Sequence, residues 1–317
     1  MSKVIDLELN LPPSVDKIVD FMKETVLRRG EKGMANYGNI FGAGKTRLID
    51  LTVEELDRMS KELSPKELDK ALRERAKKAV TTLPQFIAQI DEAGVEWGVI
   101  EGGSHEETAK LIAKYPKRFL GTARVNPNDG MKAVRELERA VKELGMKCVY
   151  ASTFRVGLPA NDKRWYPIYA KAAELGIPVF IYSTMTYRTD VPMDIGHPRN
   201  VDEVAMDFPE LKIVAGLGGW PWVPEMIGVA RRHPNVYINT AAHRPKYFAT
   251  PGSGWEMLMQ FGNTLLQDQI IFASSWWTYG MPLKDVIAET RALPLKEKVK
   301  EKWLYENAAR LFSGVFP

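Results

Sequence analysis

The chain has 317 residues, 45% of them hydrophobic and 26% charged, which is enough for one large α/β domain. Forty-four Lys and Arg against 40 Asp and Glu leave a net charge of +4. Lys and Glu interleave along Lys61–Lys78 and Lys296–Lys302 as solvated helix faces do, so a nucleic-acid surface is not expected. No apolar run reaches the length of about 18 residues that a membrane span needs. The single cysteine, Cys148, excludes an internal disulfide and fits a reducing compartment. The N-terminal stretch reaches Asp6 and Glu8 without the basic flank and apolar core of a secretory signal, so a cytoplasmic location is expected.

The first strand is predicted over Val4–Leu9. The stretch Ser14–Lys78 follows it and lacks strand patterning. Leu51-Thr52-Val53-Glu54-Glu55 and Leu63-Ser64-Pro65-Lys66-Glu67 read as helix starts, with Thr52 and Ser64 as caps and Pro65 in the first turn. Residues 14–78 are therefore expected to form a helical insertion over the C-terminal mouth of the domain. Within it, Gly42-Ala43-Gly44-Lys45-Thr46 resembles a phosphate loop, but Asn39 stands where the first glycine belongs and Met34–Phe41 is no strand. A loop over the mouth is the better reading.

Beyond residue 79, short apolar strands alternate with amphipathic helices. Strands are predicted at Trp97–Glu101, Phe119–Val125, Cys148–Ser152, Pro178–Ser183, Lys212–Gly216, Val236–Thr240 and Ile270–Ser275. Runs such as Pro178-Val179-Phe180-Ile181-Tyr182 are apolar throughout, as buried parallel strands are. Helical periodicity fills the gaps, for example over Ala133–Leu144 and Trp165–Leu175, with Gly145 and Gly176 where C-terminal caps belong. Eight βα units predict a (β/α)8 TIM barrel, a single α/β domain over residues 1–317.

Several segments carry a family resemblance. Val4-Ile5-Asp6-Leu7-Glu8-Leu9-Asn10 resembles the opening strand of the amidohydrolase-related barrels, where an Ile-Asp-x-His-x-His pattern supplies two metal ligands. Pro178–Tyr182 is similar to the family's fifth strand, Leu211–Gly219 to its sixth and Ile271–Trp276 to its eighth. His233-Pro234-Asn235-Val236-Tyr237 and Tyr305-Glu306-Asn307-Ala308 match as well. The resemblance covers most of the chain and implies a metal-dependent hydrolase or nonoxidative decarboxylase with ligands at positions 8, 10, 182, 217 and 275. This chain has Glu8, Asn10, Tyr182, Leu217 and Ser275 there. Glu8 agrees with the decarboxylase branches, which place a Glu first in the pair. A catalytic zinc takes three ligands of imidazole, thiolate or carboxylate type, and the other four residues supply none. The assortment of carboxylate, amide, phenol, hydroxyl and apolar side chain looks chosen, which points to an engineered pocket; natural loss of the metal is the alternative.

With no cofactor expected, and zinc on an atypical ligand set as the alternative, the residues themselves suggest acid–base chemistry. Glu8 and Glu101 end neighbouring strands, and a carboxylate in an apolar cavity suits a general base. Glu101 is the favoured base. Tyr182 and Ser275 would donate to a developing anion. Asn10, Arg124, Leu217, Trp220 and Trp276 would line the substrate, the two Trp stacking on a flat ring. The competing reading is that Glu8 and Glu101 merely bond to neighbours such as Arg124. A Ser274 or Ser275 nucleophile would need His105 or His243 nearby; no strand end offers a buried Lys, and Cys148 starts its strand, far from the mouth. The expected partners are a small-molecule substrate and, as an assembly the sequence allows, a second copy in a homodimer. An inactive barrel that binds an aromatic ligand is the non-enzyme alternative.

Overall fold

The computed structural model describes residues 3–23, 51–101, 103–276 and 281–315. Eight strands run parallel, each paired with the next in chain order: β1 (Val4–Asp6), β2 (Val95–Ile100), β3 (Phe119–Ala123), β4 (Cys148–Ala151), β5 (Val179–Ile181), β6 (Ile213–Ala215), β7 (Val236–Asn239) and β8 (Ile270–Ile271). Helices fill the connections, as the alternating pattern predicts for a (β/α)8 barrel. Side chains alternate between two layers. Ile5, Leu7, Val99, Leu120, Phe180 and Val214 fill the interior. Val95, Phe119, Val149 and Ile238 face the surrounding helices. Phe312 packs on Phe180, and Lys212 donates to the Leu311 carbonyl (3.0 Å), so the last helix covers the end of the barrel opposite the mouth.

Every strand except β2 is shorter than its sequence pattern. β8 keeps only two residues in the ladder, so little backbone pairing joins it to β1. The closure is made past the strand ends. Leu7 N–H donates to the Phe272 carbonyl (3.2 Å), and Ser275 N–H to the Glu8 carbonyl (2.9 Å). Between them lies Asp6, fully buried. Its Oδ1 accepts the Ser274 N–H (2.9 Å) and the Glu8 N–H (3.0 Å), and its Oδ2 accepts the Ser274 hydroxyl (2.5 Å). One carboxylate thus stitches the first strand to the last.

Gly145 and Gly176 adopt left-handed φ of 77° and 67°, which ends each preceding helix and turns the chain into a strand. In the stretch between β1 and β2 the described residues are helical: α1 (Val15–Phe21), α2 (Val53–Glu62), α3 (Pro65–Ala79) and α4 (Leu83–Glu92). Thr52 and Ser64 form reciprocal capping boxes with Glu55 and Glu67, as their spacing predicts. α1 to α3 share a small cluster of their own built on Ile18, Val19, Leu56, Leu68 and Leu72. Their expected position over the mouth rests on chain order alone. The Gly42–Thr46 segment lies outside the described residues.

Removing the Ser274 hydroxyl leaves a buried Asp6 oxygen without its donor. Ser274→Ala is expected to lower unfolding stability by about 1–3 kcal/mol, read by urea denaturation at pH 7. An unchanged midpoint would mean that the latch adds nothing to closure.

Candidate active site

The barrel closure delivers Glu8, Asn10 and Ser275 to one place. The Ser275 hydroxyl donates to Glu8 Oε1 (2.6 Å), and the Asn10 amide donates to Ser275 Oγ (3.2 Å). The other carboxylate oxygen, Glu8 Oε2, is buried and has no hydrogen-bond partner. Burial pushes the Glu8 carboxyl up to about 7; Asp6 and Glu101 push it the same way, while Ser275 and Arg124 oppose the rise. Burial also raises Asp6, to about 6, against its three hydrogen bonds.

Glu101 stands just past β2 and is bound to Arg124, just past β3. The Arg124 guanidinium also donates to Ser152 Oγ (3.3 Å) and lies 5.0 Å from the centre of the Tyr150 ring. The Glu101 carboxylate is thus matched to a cation, as the competing reading expects, whereas Glu8 bonds to Ser275 through one oxygen and leaves the other without a partner. Tyr150 joins this group although its position in the sequence, inside a strand, gave no signal. Burial and the Glu8 charge both raise its phenol, which stays protonated.

Other expected residues sit elsewhere. The Tyr182 hydroxyl donates to the Met185 carbonyl (3.0 Å), and its ring packs on Phe154, centres 4.3 Å apart. Trp276 stacks on Phe86 (6.1 Å) among outer-layer residues, which removes it from stacking on a substrate inside the barrel. Trp220 packs beside His243 (5.8 Å), and its carbonyl accepts the Met185 N–H (3.1 Å). Leu217 N–H is capped by Asn239 Oδ1 (2.8 Å), a strand-end amide the sequence reading did not single out.

Neither serine meets an imidazole. Ser274 is bound to Asp6 and Ser275 to Glu8. His105 Nε2 accepts the Arg124 backbone N–H (3.0 Å), so its proton sits on Nδ1, against Glu136 (2.6 Å). His243 is buried against Trp255 (4.9 Å), and burial lowers it to about 4. Cys148 lies in the interior against Thr122 (3.1 Å), its thiol pushed up to about 12 by burial. Beside the Glu101–Arg124 pair, a cleft of about 370 Å³ opens over His105, Thr108 and Glu136.

Comparison with known proteins bears directly on this arrangement. A family model described as amidohydrolase matches residues 56–314. The chain belongs to the amidohydrolase family. Among curated relatives, it is 27% identical over 78 residues to a 2-amino-3-carboxymuconate-6-semialdehyde decarboxylase of Dictyostelium discoideum, covering 25% of this chain and 22% of that one. It is 30% identical over 95 residues to a gamma-resorcylate decarboxylase of Polaromonas sp., covering 28% and 29%. Each match thus spans under a third of the relative's length. Among solved structures, an uncharacterised TIM-barrel protein of Bordetella bronchiseptica superposes over 99% of both chains, with a TM-score of 0.69 and 24% identity. A 5-carboxyvanillate decarboxylase of Sphingomonas paucimobilis superposes over 98% of both, with a TM-score of 0.64 and 18% identity. These last two likenesses are of fold.

The amidohydrolase scaffold implies a metal at the mouth, and the donor set here does not fit one. Glu8 is the only carboxylate or imidazole at the five positions. Asn10 turns its amide N–H toward Ser275, Tyr182 gives its proton to a backbone carbonyl, and Leu217 has no donor atom. Among the described residues, no three His, Cys, Asp or Glu gather as a ligand group.

A carboxyl whose folded pKa lies above its unfolded value costs stability once both states ionise. For Glu8 the cost is absent near pH 4, grows as pH rises past 4.5 and is complete above about 7. Glu8→Gln is therefore expected to gain on the order of 3 kcal/mol relative to wild type between pH 4 and pH 8. Denaturant melts at the two pH values check this; a gain independent of pH would mean that the carboxyl titrates normally.

Proposed function

We propose that this amidohydrolase-family barrel performs metal-independent proton transfer at a carbon of a small, flat substrate, with Glu8 as the general base. One observation carries the reading. Glu8 has one oxygen fixed by Ser275 and the other buried without a hydrogen-bond partner. A base that titrates near neutral pH is half-available at the working pH and strong enough to accept a carbon-bound proton. Ser275 and Asn10 hold the carboxylate in one orientation. Arg124 supplies positive charge for the anion that forms, held in place by Glu101, whose role shifts from base to positioning partner. We infer also that the pocket was rebuilt from a metal site, by engineering or by loss, because the family segments persist around altered ligand positions.

A second reading is supported by the names of the curated relatives, both decarboxylases. In it the protonated Glu8 delivers a proton to a ring carbon of an aromatic acid as carbon dioxide leaves. The two readings use the same carboxyl in opposite directions, and release of carbon dioxide separates them.

Glu8→Gln is expected to lower the rate of deuterium exchange into a small carbon acid by about 10²–10⁴-fold and to abolish the limb of the pH–rate profile near 7. Glu101→Gln should cost less and leave that limb in place. Equal effects of the two substitutions, or none from Glu8→Gln, would reject Glu8 as the base. Elemental analysis of the purified protein should find far less than one zinc or manganese per chain, with activity untouched by a chelator. Stoichiometric metal together with chelator-sensitive activity would reject the metal-independent reading.

A further inference from the structure

Six described side chains bury a polar atom that finds no hydrogen-bond partner. Three of these, on Gln89, Trp165 and Trp276, belong to helices or to the outer layer. The other three stand at the C-terminal ends of barrel strands: Glu8 Oε2, Arg124 Nε and Asn239 Nδ2. A buried donor or acceptor without a partner is costly, and native structures rarely leave one unless something else completes it.

Asn239 is the last residue of β7 and fully buried. Tyr237 lies with the interior residues and Val236 and Ile238 with the outer layer, so alternation turns Asn239 inward. Its amide cannot be flipped. Oδ1 accepts two backbone N–H groups, from Leu217 (2.8 Å) and Ala241 (3.2 Å), which leaves the NH2 group as the side without an acceptor. Arg124 follows Leu120 and Thr122 on the inward side of β3.

The order of the strands then sets the order of these groups. Round the mouth run β7, β8, β1, β2 and β3. β8 and β1 are joined through Leu7 and Phe272. Glu8 therefore stands midway between the two donors, two strands from each, roughly 10 Å along the wall at the usual strand spacing. A ligand that completes this arc has an acidic hydrogen in the middle and an acceptor oxygen on either side.

We propose that the mouth recognises a small 1,3-dicarbonyl compound, with Asn239 as a substrate-binding residue. Glu8 faces the C–H between the carbonyls, and Asn239 and Arg124 donate to the two oxygens. This deepens, and rests on, the reading of Glu8 as base. In the step, the central C–H bond breaks and its proton passes to Glu8 Oε2. The electron pair spreads over both carbonyls as an enolate, held by one donor at each oxygen. Return of a proton from Glu8 to carbon regenerates the ligand. A substrate with a single activating group would leave one of the donors buried and unpaired, which sets the basis for discrimination.

The test compares hydrogen–deuterium exchange by NMR in ethyl acetoacetate, which has two carbonyls, with exchange in phenylacetone, a carbon acid with one carbonyl. Wild type is compared with Asn239→Asp and Asn239→Ser. Asp keeps the oxygen that caps Leu217 and Ala241, and Ser removes the donor amide without adding charge. Both variants are expected to lose about 10²-fold on ethyl acetoacetate, the usual cost of one donor to a developing oxyanion, with little change on phenylacetone, whose one carbonyl can be held by Arg124. Equal losses on both probes, or no loss on either, overturn the role of Asn239 while leaving Glu8 as base. If wild type exchanges neither probe yet calorimetry shows ethyl acetoacetate binding that both variants lose, recognition stands and the base reading fails. Neither exchange nor binding overturns both.

Discussion

The seam between β1 and β8 is where this barrel either closes or does not, and Asp6 holds it. A two-residue last strand cannot supply the ladder that joins other neighbours. A fully buried carboxylate with three donors from Ser274 and Glu8 takes its place. The arrangement has a cost, since burial disfavours the charge and raises the Asp6 carboxyl. Its return is position. Because Ser274 and Glu8 are bound to one side chain, Ser275 and Asn10 arrive beside the Glu8 carboxylate, and the contact that closes the fold also sets the surroundings of that carboxylate.

Backbone strain marks the same region. Outside glycine, left-handed φ occurs in the described residues at Asn10 (42°), Leu217 (58°), Ala242 (59°) and Ser275 (43°). Three of these four, Asn10, Leu217 and Ser275, are positions to which the family resemblance assigns metal ligands. Such conformations cost on the order of 1–3 kcal/mol each and survive only where surrounding bonds impose them. Here the bonds are visible: Asn239 fixes Leu217 N–H, and the Glu8 carbonyl fixes Ser275 N–H. The left-handed positions thus cluster around the strand ends that carry Glu8, Asn239 and Ser275.

The barrel was legible in the sequence because its signals are local. Apolar runs, caps such as Thr52 and Ser64, and the left-handed glycines Gly145 and Gly176 each act within a few residues. The positions around the mouth were legible too, because the family segments carry them. What they touch was not. Between Glu101 as base and Glu101 paired with Arg124, 23 residues away, the sequence could not choose, and the structure bonds the two. Trp276 and Tyr182 looked like pocket residues, yet Trp276 packs outward and Tyr182 spends its proton on a backbone carbonyl, outcomes set by packing between distant elements. Tyr150 and Asn239 carried no signal, each lying within a predicted strand, and only the strand order brings them to the mouth.

The central claim is that a single carboxyl, Glu8, is held near neutrality by burial and left with a free oxygen. Carbon NMR of protein labelled only at glutamate carboxyls follows it directly and leaves Asp6 silent; the Glu8→Gln variant assigns its resonance. The account predicts one glutamate titrating near 7 and missing from that variant. A set of glutamates that all titrate in the ordinary range near 4.5 would contradict it.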